Sequence, residues 1–129
     1  MENVRQGRAR FARRLTQMEM NRHIILFPFV AVAAYFNFEE GQLFPVDVID
    51  SLGKKWAFLG TSHADEQFGN YVSFSWSQFS IEKGLKVNDE VVIIEMPQGD
   101  DEQPHSMFKI EIKRQIKLFG VNIWGELNV

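Results

Sequence analysis

The chain contains no cysteine, which removes a disulfide framework and any thiolate metal site, and makes a reducing, intracellular setting the default expectation. No apolar run is fit to cross a bilayer as a helix, because the longest, residues 24–38, is broken by Pro28 and Asn37. No membrane association is expected. An internal repeat, a low-complexity tract, a phosphate-cradling glycine loop and a nucleophile motif are all missing. The histidines His23, His63 and His105 have neither metal-ligand spacing nor cysteine companions, so no metal or other cofactor is expected. Asp47, Asp50, Asp65 and Glu66 fall in strands, turns and loops without a converging partner set, and no enzymatic activity is expected.

What is present suffices for one domain: 129 residues, 45% apolar and 13% aromatic, can close a single hydrophobic core. Charge is uneven along it. Six arginines against two glutamates leave residues 1–23 at +4, within a chain whose net charge is −3. A field of that shape turns a polyanion toward the N-terminal end, although a solvated basic arm has the same composition. Glu2 and the lack of serine in this segment argue against a transit peptide.

Residues 11–16 fit a strand or a helix equally well, and residues 17–23 read as a polar stretch. A short strand follows at residues 24–27, then a helix opened by Pro28 and running over residues 29–36. From Leu43 the pattern alternates, with Phe44, Val46, Val48 and Asp50 on one face and Pro45 marking a strand start or an edge. Gly53 supplies the positive φ of a hairpin turn, and residues 55–59 return with Trp56 and Phe58 on one face.

Residues 60–69 lack apolar periodicity and read as a long loop, a place where scaffolds put function. Residues 70–76 alternate again; Ser77 is placed as the cap of a short helix that packs Phe79 inward and stops at Gly84. Residues 91–96 are β-branched and suit a buried central strand, residues 97–104 an acidic surface loop, and residues 107–116 a last strand with Phe108, Ile110, Ile112 and Arg114 on one side. Trp56 and Trp76 are expected in the core. Many short strands with two short helices indicate an all-β barrel or open barrel.

The order of motifs resembles the plant B3 DNA-binding domain family. Residues 11–19, with Phe11, Arg13, Leu15 and Thr16, resemble its opening, and Phe27-Pro28 resembles its first helix start. Asp50, Gly53, Lys54 and Trp56 resemble its hairpin. Trp76 with Phe79, then Leu85, Asn88 and Asp89, then Phe108, Ile110 and Ile112 complete a likeness that spans roughly residues 11–114. Met18-Glu19 replaces the usual Ser/Thr-Asp, Ser75 stands for a Gly, and Asn88 stands for a second Gly whose left-handed backbone Asn tolerates.

The resemblance implies a seven-stranded open pseudobarrel with a short helix at each end. Residues 1–10 would be a basic arm, 11–119 the domain and 120–129 a tail. It further implies double-stranded DNA as partner, a role in transcriptional regulation, a nuclear location, and two loops, residues 17–23 and 60–70, set in the major groove. Asn21, Arg22 and His23 would read bases from the first loop, and Thr61, Ser62, His63, Gln67 and Asn70 from the second. Arg13, Arg14, Thr16 and Lys54 complete the candidate DNA-binding set, with the arginines and the lysine suited to phosphates. Asp65 and Glu66 in the second loop oppose a phosphate backbone. The alternative is therefore a pseudobarrel module that binds a protein partner, or a second copy of itself, with little DNA affinity.

Overall fold

The structure, a computed structural model, describes residues 10–32, 41–67, 69–96, 107–118 and 121–127. The expected loop 97–104, His105 and the second half of the helix expected after Pro28 lie outside these residues. In chain order the elements are β1 (Arg10–Arg14), α1 (Gln17–Arg22), β2 (Ile24–Pro28), α2 (Phe29–Val32), β3 (Leu43–Ile49), β4 (Lys55–His63), β5 (Tyr71–Ser75), α3 (Ser77–Glu82), β6 (Glu90–Glu95), β7 (Phe108–Leu118) and β8 (Val121–Leu127).

Seven strands follow one another in the order β1-β6-β7-β3-β4-β5-β2, and β8 pairs with β7 outside this path. All neighbours are antiparallel except β3 and β7, which run parallel and meet only at Val48 with Phe108 and Ile49 with Lys109. The path ends at β1 and β2, which share no ladder, so the barrel is open there.

Strict alternation drives the inner face. In β3 it buries Phe44, Val46 and Val48, and in β5 Val72 and Phe74. A buried residue of this size contributes about 1.5–3 kcal/mol, and the aromatic rings join the pieces. Phe11 of β1 meets Phe27 of β2 edge-on at 6.0 Å, bridging the open seam from inside, and Phe27 meets Phe74 at 6.0 Å. A second cluster sets Phe58 5.7 Å from Trp76 and 5.3 Å from Phe79, with Trp56 5.1 Å from Phe79.

The turns obey the residues at their corners. Gly53 has φ +86 and Asn88 φ +75, the left-handed region that each tolerates. Buried Asp50 accepts from the backbone N–H groups of Leu52 and Lys54, from the Trp56 indole at 2.9 Å and from Lys83 at 2.8 Å. Buried Asp89 accepts from Lys86 N and takes a two-pronged contact from Arg114 at 2.8 Å.

Four expectations need correction. Residues 17–23, read as a loop, are mostly the helix α1, because Thr16 caps it and Glu19 returns the bond. The loop expected over residues 60–70 is shorter: β4 continues to His63 and pairs with β5 as far as Tyr71. Gly60 sits inside β4 because the Phe44 ring fills the space a Cβ would take. Ser77 is the first helical residue of α3 and not its cap; Trp76 holds the cap position without a side-chain bond. Residues 121–127 of the expected tail form β8.

Candidate nucleic-acid interface

α1 takes its position from one buried side chain. Glu19 has no exposed surface; its Oε2 accepts from Arg13 Nε of β1 at 2.6 Å and from the Leu26 N–H of β2 at 2.8 Å. Its Oε1 accepts from the Thr16 N–H at 3.0 Å and the Thr16 hydroxyl at 2.9 Å. A single carboxylate thus ties the two unpaired edge strands together across the open seam, with α1 above them. Burial alone raises its pKa, but the bonds from Arg13, Leu26 and Thr16 outweigh that and hold it below the ordinary carboxylate value.

The described residues of the 64–70 loop are also tied locally. Oδ1 of Asp65 accepts the Gln67 N–H at 2.7 Å, the Asp65 carbonyl accepts the Gly69 N–H at 2.9 Å, and the Asn70 carbonyl accepts the Phe29 N–H at 3.0 Å. Between α1 and this loop lies a groove of about 480 Å³, walled by Arg13 and Met18 on one side and by Asp65, Asn70 and Tyr71 on the other. Leu26, Phe27 and Pro28 of β2 form its floor. Each expected finger reaches this concavity in part, the first through Met18 and the second through Asp65 and Asn70, while Asn21, Arg22, His23, Thr61, Ser62, His63 and Gln67 do not line it.

The candidate residues divide by where the fold puts them. Asn21 and Arg22 are exposed on α1, where Asn21 Oδ1 accepts from Gln17 Nε2 at 2.8 Å and leaves its amide protons to donate. His23 ends the helix at φ 54, and its buried Nδ1 has no partner among the described residues. Gln67 and Asn70 are exposed on the loop. Thr61, Ser62 and His63 belong to β4: Ser62 points inward and is 5% exposed, and Thr61 stands opposite Ser73. His63 stacks on Tyr71 at 4.7 Å and bonds Ser73 Oγ at 2.9 Å.

Among the cations, Arg13 engages Glu19, and Arg14 lies 4.9 Å from the Trp124 ring. Thr16 gives its hydroxyl proton to Glu19. Lys54 is not brought to the groove: it sits at the β3–β4 hairpin against Glu82 at 3.2 Å and the Trp56 ring at 4.3 Å, roughly 30 Å of strand from His63 at 3.3 Å per residue. Met18, Leu26, Pro28 and Tyr71 line the groove without having been singled out, since an apolar residue at the surface carries no signature of its own. Among the described residues no three His, Cys, Asp or Glu side chains stand together as a metal site, and no helix is long and apolar enough to cross a membrane.

No family model and no curated protein matches this chain. Solved structures do. An Arabidopsis FUS3–DNA complex is similar with a TM-score of 0.57 at 15% identity, covering 78% of this chain and 93% of that one. The hypothetical Arabidopsis thaliana protein At1g16640.1 is similar with a TM-score of 0.53 at 15% identity, covering 85% of this chain and 94% of that one. Strand order, open seam and likeness together give this chain the fold of a B3 domain.

Proposed function

We propose that the chain is a sequence-specific double-stranded DNA-binding module acting in transcriptional regulation in the nucleus. The observation that carries this reading is the convergence of α1 and the 64–70 loop on one groove, in a fold that a similar protein shows in a DNA complex. Asn70 lines that groove, Asn21 and Arg22 are exposed on α1 and Gln67 on the loop beside it, and these side chains offer the donors and acceptors that base edges in the major groove accept. Arg14 supplies a phosphate contact.

A second reading has its own support. Asp65 stands in the groove, Arg13 is already engaged, and Lys54 is remote; a module with that charge arrangement binds a protein partner in the same concavity. Selection from random duplexes separates the two. Enrichment of a common site, with affinity falling by a log–log slope of about −0.9 per neutralised phosphate, supports the DNA reading. No duplex preferred over bulk DNA at low salt supports the other.

A further inference from the structure

We infer that Trp124 of β8 is a positioning residue that holds Arg14, at the end of β1 just before α1, as a ready phosphate fork. The inference rests on the DNA-binding reading above and adds to it the β7–β8 ribbon, which has no part in that reading. Arg14 closes β1, two residues before the cap of α1, and is exposed. Its guanidinium carbon lies 4.9 Å from the centre of the Trp124 ring.

The sheet register makes this meeting regular: Arg14 stands opposite Glu90, Glu90 opposite Lys113, and Lys113 opposite Glu126. Trp124, two residues before Glu126, shares that face with its cross-strand partner Gln115. Ile123 and Ile116 form the pair on the other face. Trp124 is 38% exposed, so core burial does not account for a tryptophan here.

Among the described residues the Arg14 side chain makes no hydrogen bond or ion pair, Glu90 opposite it included. A guanidinium held over a ring face is attracted by the ring's charge distribution and keeps its N–H groups available to another acceptor. An aromatic shelf therefore removes rotamer freedom without consuming a donor, and a phosphate then meets a bidentate partner at lower ordering cost.

The test is fluorescence anisotropy with a mixed-sequence duplex over a range of salt, since phosphate contacts carry no sequence information. Arg14→Ala is expected to weaken binding and flatten the salt slope by about 0.9. Trp124→Ala is expected to weaken binding about two- to tenfold while keeping the slope, because the charge remains. In the Arg14→Ala background Trp124→Ala should do nothing further, and Trp124→Phe should keep most of the affinity. Losses that add in the double variant, or a Trp124→Phe protein as weak as Trp124→Ala, overturn the inference alone. Failure of the unsubstituted protein to bind any duplex at low salt overturns the DNA reading and this inference with it.

Discussion

Glu19 fills the place where the first half of the barrel would otherwise part from the second, and its neighbours define what its loss does. Glu19→Ala strands the Leu26 N–H and leaves Arg13 facing an empty site. Removing one partner of a buried charged pair costs about 3–5 kcal/mol, so a loss of that order in urea unfolding is expected. For the same reason Arg13→Ala acts on stability before it acts on DNA. Arg22 is the opposite case: exposed, on α1, and without a partner among the described residues. Arg22→Ala is expected to leave the unfolding curve unchanged while costing about 1–3 kcal/mol of binding to a selected site and relaxing the base preference at one position. An equal loss on selected and mixed duplexes would show that Arg22 touches only phosphate.

At the scale of the element, the 64–70 loop is the part whose charge decides between the two readings. Replacing Asp65 with Asn keeps an acceptor for the Gln67 N–H, and replacing Glu66 with Gln removes a second exposed carboxylate. If duplex DNA occupies the groove, the double variant binds it more tightly, most visibly at low salt where screening is weak; unchanged affinity places the loop away from the phosphates. The strands were legible because alternating apolar residues have a fixed meaning: β3, β5 and the first part of β7 appear where Phe44, Val72 and Phe108 begin or continue a period of two. The end of β4 was not, because its inward positions are Gly60 and Ser62, a glycine that makes room for Phe44 and a small polar residue. Only its pairing with β5 reveals it. α1 was hidden by brevity: six residues cannot show a helical period. The Thr16 and Glu19 pair, three apart, was the signal that would have exposed it.

For the whole molecule, the buried carboxylates set the acid limit. Burial acts to raise the pKa of Asp50, but Lys83, the Trp56 indole and the Lys54 and Leu52 N–H groups together pull it from 3.8 down to about 2. A carboxylate with a depressed folded value adds stability that is whole above pH 4 and fades as the pH falls toward 2, here about 2 kcal/mol. Glu19, lowered in the same direction, fades alongside it. The melting temperature is expected to drop steeply across that interval, and a flat profile from pH 4 to 2 would contradict the assignment. The two-pair parallel meeting of β3 and β7 bears on motion as well. It divides the wall into a leaf of β1, β6 and β7 and a leaf of β3, β4, β5 and β2, each laced by long antiparallel ladders. The loop tip belongs to the second leaf, while α1 is bolted to both by a carboxylate. Parting the two leaves at β3 and β7 therefore breaks the shortest ladder of the sheet path, and Glu19 with the Phe11–Phe27 contact is what joins them on the opposite side.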